Sequence, residues 1–120
     1  MKLSGIMIGS EESKTLGEFY EKIFGKPGWN QDGWYGFDIG GNYLMIGPHS
    51  EVKGKSTMPG RLMISVDSED VKSDFEKIKS VGAEVIAEPY QPGKDEKPDV
   101  WLATFADPDG NYFQLATPWK

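Results

Sequence analysis

The sequence contains no cysteine and a single histidine, His49. Disulfides and thiolate metal centres are thereby excluded, and so are sites built from several imidazoles. No run of ~18 apolar residues occurs, and no long apolar stretch follows Met1-Lys2-Leu3-Ser4-Gly5, so neither a membrane span nor a signal peptide is expected. Basic residues are the minority: 13 Lys and Arg stand against 19 Asp and Glu, a formal net charge of −6. Nucleic-acid affinity rests largely on cations neutralising phosphates, so no nucleic-acid partner is expected, and a neutral or cationic one suits this surface better. No nucleophile–base pair, phosphate-binding loop or close acid pair of familiar spacing is visible; the glycines from Gly36 to Gly41 lack the strand-to-helix context that phosphate binding requires. These readings describe a cytoplasmic single domain over 1–120 without visible catalytic residues, metal or cofactor.

What the chain does have is an internal repeat. Gly5-Ile6-Met7-Ile8 lies over Arg61-Leu62-Met63-Ile64, and the same 56-residue offset carries Phe19 onto Phe75, where the helix stretches Phe19-Tyr20-Glu21-Lys22-Ile23 and Phe75-Glu76-Lys77-Ile78 are alike. Further on, Gly41-Asn42-Tyr43-Leu44-Met45 matches Gly110-Asn111-Tyr112-Phe113-Gln114 at a larger offset, which a long loop from Glu88 to Asp99 accounts for. Module one is therefore placed at 1–48, a polar Gly- and Pro-punctuated linker at 49–60, and module two at 61–120.

Each module reads as strand, helix and three further strands. Ser10 is the expected cap of the first helix, with Leu16, Phe19 and Ile23 on one face and Gly25 at its end. Asp67 or Ser68 is expected to cap the second, whose stripe is Val71, Phe75 and Ile78 and whose stop is Gly82. The opening strands alternate, with Ile6 and Ile8, and Leu62, Ile64 and Val66, expected to pack under the helices. Trp34 to Ile39 with Tyr43 to Ile46, and Val100 to Ala106 with Tyr112 to Ala116, form hairpins turned by Gly40-Gly41 and by Asp107-Pro108-Asp109-Gly110. A strand at Ala83 to Ala87 and a weaker one before Gly33 complete the pattern.

The duplicated βαβββ module, the helix end Phe19-Tyr20-Glu21-Lys22-Ile23-Phe24-Gly25 and the turn Asp107-Pro108-Asp109-Gly110-Asn111 resemble the glyoxalase/bleomycin-resistance/extradiol dioxygenase, or vicinal-oxygen-chelate, superfamily. The resemblance spans nearly the whole chain. It implies an α+β fold in which two βαβββ modules form an open, curled mixed-sheet barrel around a cavity, with helices outside and a homodimer as the common assembly. It also implies four metal ligands on the first and last strands, at positions held here by Gly5, Met45, Arg61 and Gln114. Glycine offers no side chain, arginine is a permanent cation, and only Gln114 supplies an oxygen, so a member lacking the usual ligands is expected. His49, in the polar linker, is read as structural or solvent-exposed.

If Gln114 faces the cavity, alternation brings Tyr112 and Ala116 beside it, with Tyr43 and Met45 at the matching places and Met7 and Met63 on the opening strands. Trp34, Trp101 and Phe105 could add walls, Trp29 could be a rim residue or a dimer contact, and Trp119 could serve as a dimer contact. Arg61 would either meet an anionic ligand group or pair internally with Asp38, Asp99 or Asp107. A Met- and Tyr-lined cavity suits an aromatic ligand. The expected function is metal-independent small-molecule binding of the bleomycin-resistance type, with a glyoxalase-like lyase, isomerase or other enzyme of the superfamily as the alternative, and a regulatory module with a vestigial cavity as a third.

Overall fold

Apolar residues at every second position of the hairpins and at every third or fourth position of the helices give each half of the chain one buried interface between a sheet and a helix. The structure, a computed structural model, describes residues 1–118. It divides into two compact units that meet in sequence between Lys55 and Ser56, inside the segment read as a linker.

The first unit runs β1 (Gly5–Gly9), α1 (Ser13–Phe24), β2 (Trp29–Gln31), β3 (Trp34–Ile39) and β4 (Asn42–Gly47). Its sheet has the order β1-β4-β3-β2, with β1 parallel to β4 and the other pairs antiparallel. Leu16 and Tyr20 of α1 bury against Tyr35, Phe37, Leu44 and Ile46. Tyr35 can approach α1 only because residue 17 is glycine: a Cβ there would stand 2.4 Å from the Tyr35 ring. The buried stripe is thus Leu16, Gly17 and Tyr20, while Phe19 and Ile23 are half-buried at its margin. Ser10 begins the helical turn without being its cap: it is fully buried, its Oγ accepts the Glu12 N–H at 3.0 Å, and α1 opens three residues later.

Burial also raises the pKa of Tyr35 above 10.0, with the charges of Glu18 and Glu21 acting in the same direction. A raised tyrosine pKa leaves stability unaffected while both states are protonated. Above pH 10.0 the unfolded chain releases its proton first, so stability falls with rising pH. Urea midpoints measured across that range should fall more steeply for the native chain than for Tyr35→Phe; parallel profiles would count against the assignment.

The second unit repeats the pattern with β5 (Ile64–Asp67), α2 (Val71–Ser80), β6 (Glu84–Tyr90), β7 (Leu102–Ala106) and β8 (Tyr112–Ala116), in the sheet order β5-β8-β7-β6. Val71, Phe75 and Ile78 pack on Ala103, Phe105, Phe113 and Leu115. The Phe105 ring lies 5.1 Å from that of Phe75 and 5.5 Å from that of Phe113, centroid to centroid. Phe105 is therefore a core residue under the helix rather than a cavity wall. Asp70 caps α2, its Oδ1 accepting the Ser73 N–H at 3.1 Å, whereas Ser68 is buried and donates its hydroxyl to Asp74 Oδ2 at 2.6 Å. The cap falls at Asp70 and not at the expected Asp67 or Ser68, because Asp67 still belongs to β5, the Ser68 N–H is bound to the Ala116 carbonyl, and the chain bends at Glu69 and Asp70 before α2. Leu62 and Arg61 lie outside β5: the Arg61 N–H closes a turn onto the Met58 carbonyl at 3.0 Å, which delays the strand to Ile64 and leaves Leu62 86% exposed.

The two units carry the same join from first strand to helix. Ser10 donates its N–H to the Gly47 carbonyl at 2.9 Å, and Ser68 donates its own to the Ala116 carbonyl at 2.8 Å. Met7 stands beside Met45, and Ser65 beside Gln114. The opening strands thus correspond at an offset of 58, two residues beyond the 56 suggested by letter similarity.

Candidate functional site

In β8 the alternation sends Phe113 and Leu115 under α2 and leaves Tyr112, Gln114 and Ala116 on the opposite face. Parallel pairing with β5 sets Ser65 beside Gln114 and Asp67 beside Ala116; antiparallel pairing with β7 adds Thr104 and Leu102. Gln114 Nε2 donates to Ser65 Oγ at 3.0 Å, which fixes the amide on this floor.

The segment between β6 and β7 supplies the wall. Gln91 Nε2 donates to the Pro98 carbonyl at 2.6 Å, the Val100 N–H to the Lys97 carbonyl at 3.2 Å, and Trp101 and Thr117 exchange bonds, the Trp101 N–H to Thr117 Oγ1 at 2.9 Å and the Thr117 N–H to the Trp101 carbonyl at 3.1 Å. The floor and this segment enclose about 580 Å³, lined by Ser65, Asp67, Leu102, Gln114, Ala116, Thr117, Pro118 and residues 96–100. That volume falls in the range of small-molecule pockets.

The open face of the first sheet has a different character. Met7 pairs with Met45, and Trp34, Gly36, Tyr43 and Gly47 share their side. The Trp34 ring lies across Gly47, where a Cβ would be 2.1 Å from it, and Met45 Sδ would be 3.2 Å from a Cβ on Gly36. Met7 and Tyr43 are each 53% exposed. Glycine thus provides a flat backbone floor on which aromatic and thioether groups lie.

Of the residues expected at the site, the structure brings Met7, Trp34, Tyr43 and Met45 together on the first sheet and places Gln114 in the cavity of the second. Tyr112 shares the face of Gln114 without lining the cavity, and Met63 is half-buried just before β5. Trp101 is on the helix side, with Lys72 Nζ 4.0 Å from its ring centroid. Arg61 is exposed, donates from Nη2 to Met58 Sδ at 3.4 Å, and makes no ion pair with Asp38, Asp99 or Asp107 among the described residues. Trp119 lies outside the described residues. Asp67 and the 96–100 wall were not anticipated as site residues. Alternation outward from Gln114 through its parallel neighbour would have found Asp67, but nothing local marks the wall.

A glyoxalase-like domain profile matches residues 5–116, which takes in both modules. The chain belongs to the glyoxalase-like domain family. Its fold is shared by solved structures of known class. TnmS3, an antibiotic binding protein from Streptomyces sp. CB03234, is 22% identical with a TM-score of 0.73, covering 99% of this chain and 97% of that one. A glyoxalase/bleomycin resistance protein/dioxygenase family enzyme from Burkholderia phytofirmans PsJN is 19% identical with a TM-score of 0.76 and 98% of each chain covered. The fosfomycin resistance protein FosX from Listeria monocytogenes is 19% identical, with a TM-score of 0.73 and coverage of 99% and 94%. At such identities the likeness establishes the fold. No curated protein matches the sequence.

This glyoxalase-like domain does not fit the divalent metal that its superfamily implies. Strand pairing puts Met7 beside Met45 and Ser65 beside Gln114, so even the corrected register offers two thioethers, a hydroxyl and an amide in place of imidazoles and carboxylates. Among the described residues no group of three or more His, Asp or Glu side chains is arranged to hold a metal. No helix among them is long and apolar enough to cross a membrane.

Proposed function

We propose that this glyoxalase-like domain is a metal-independent small-molecule binding protein that sequesters an amphiphilic aromatic ligand. The observation that carries the reading is the cavity of about 580 Å³ on the second sheet, whose lining combines aliphatic side chains with fixed polar groups. Ser65, the only lining side chain with a primary hydroxyl, is hydrogen-bonded to the Gln114 amide, which cannot accept its proton as a general base would. Binding is thus better supported than an acyl- or group-transfer reaction. The Met7, Trp34, Tyr43 and Met45 face gives a separate apolar surface suited to aromatic rings.

Calorimetric titration with the neutral probe 2-(1-naphthyl)ethanol tests the proposal. One equivalent should bind, with the same affinity in EDTA and after dialysis against Zn, Mn or Ni. Ala116→Trp, which fills the cavity floor, should abolish binding without loss of fold. A metal requirement, or undiminished binding by the variant, would overturn the assignment.

We further propose a homodimer, supported by the exposure of Met7 at 53%, Trp29 at 46% and Tyr43 at 53% on one face of the first sheet. Light scattering at roughly tens of micromolar, where an interface of ordinary size persists, should report twice the chain mass; a monomer there would refute it.

A further inference from the structure

We infer that the cavity of the second unit selects ligands bearing an ammonium group, with Asp67 as the anchoring carboxylate. This rests on the binding function proposed above and names the chemistry that the cavity recognises. Its lining holds three carboxylates, Asp67, Glu96 and Asp99, against one ammonium, Lys97. Val100 and Leu102 supply an aliphatic wall in the same volume. An apolar body with one positive head therefore finds a partner for each of its parts.

Asp67 is distinguished from the other two carboxylates by how it is held. It ends β5, and its parallel pairing with Ala116 sets its side chain on the floor that carries Gln114. Glu96 and Asp99 belong to the wall segment, which has no strand to fix it. The Asp67 carboxylate makes no hydrogen bond or ion pair among the described residues, so its acceptor capacity is satisfied by water until a donor arrives. Asp67 is exposed on this floor, so a cation that displaces water there gains a charge-assisted hydrogen bond whose strength falls as salt rises. The cation that would have recruited an anionic ligand instead, Arg61, is outside the lining. The whole chain, at −6, draws cations toward it.

The test compares three probes of one shape on the full chain by calorimetry: 2-(1-naphthyl)ethylamine, 2-(1-naphthyl)ethanol and 1-naphthylacetate. At low salt the amine should bind about tenfold more tightly than the alcohol, and the acetate more weakly than either, with the spread narrowing as salt rises. Asp67→Asn should reduce the ratio of amine to alcohol affinity to about twofold in a chain that keeps its cooperative melting transition. Asp99→Asn should reduce it less. Equal binding of amine and alcohol by the native chain, or an undiminished preference in Asp67→Asn, overturns the ammonium assignment and leaves the binding function standing. Failure of all three probes overturns the binding function itself.

Discussion

Replacing Phe105 with alanine should lower the unfolding free energy by about 3–5 kcal/mol, the range for removing a fully buried aromatic ring. Phe105 is 0% exposed and forms the middle of a three-ring stack with Phe75 of α2 and Phe113 of β8. The loss has two parts: the transfer free energy of the ring, and a cavity that flat neighbours on a sheet cannot collapse into. Urea denaturation at neutral pH measures it. The same variant distinguishes a core role from a binding role. Because Phe105 points away from Gln114 and the cavity floor, the protein that remains folded should bind 2-(1-naphthyl)ethanol with native affinity. A destabilisation below ~1 kcal/mol combined with lost binding would return Phe105 to the cavity wall.

The second large effect is expected at Asp107, which is 5% exposed. Its Oδ1 accepts the Asp109 N–H at 3.0 Å and the Asn111 N–H at 2.9 Å, and its Oδ2 accepts Asn111 Nδ2 at 3.0 Å. Its backbone adds the bond from its N–H to the Asn111 carbonyl and that from the Gly110 N–H to its own carbonyl. The Asp-Pro-Asp-Gly-Asn turn is thus organised around one carboxylate, with Gly110 at φ 81° supplying the left-handed residue that reverses the chain. Asp107→Ala leaves amide donors without their acceptor and should cost about 3 kcal/mol, since hydrogen bonds to a charged group contribute roughly 1.5–3 kcal/mol each and do not add fully. Asp107→Asn keeps an oxygen for the two backbone amides but sets an amide against Asn111 Nδ2, so about half that loss is expected. A shift in the urea midpoint no larger for alanine than for asparagine would show that the carboxylate does not organise the turn.

Both residues illustrate how far local pattern reaches. The turn around Asp107 is visible in the sequence because Asp, Pro and Gly each restrict the backbone in known ways. Its hydrogen-bond network is not visible, because it depends on which way one buried carboxylate points. Phe105 shows the converse: alternation identifies two faces of β7 but cannot say which faces the helix until α2 is placed.

The sequence by itself determined the duplicated βαβββ order, the bounds of β3 and β8, the helical stripes at Val71, Phe75 and Ile78, and the lack of metal ligands. These follow from short-range constraints: period-two alternation, period-3.6 stripes, glycine at turns, and side chains that are neither imidazoles nor carboxylates. Tertiary structure decided the register of the two opening strands. A parallel pair has no hairpin to set its alignment, so the match of Gly5-Ile6-Met7-Ile8 to Arg61-Leu62-Met63-Ile64 was a likeness of letters; the bonds from Ser10 to Gly47 and from Ser68 to Ala116 impose the offset of 58. The discrepancy is two residues, and a shift of two preserves which face every side chain occupies, so alternation could not reveal it. That shift is what sets Ser65 and Asp67, in place of Met63 and Ser65, beside Gln114 and Ala116. The wall from Glu96 to Val100 was likewise decided by folding, because a Pro- and charge-rich loop carries no periodicity and acquires its position only from the strands and hydrogen bonds that anchor its ends.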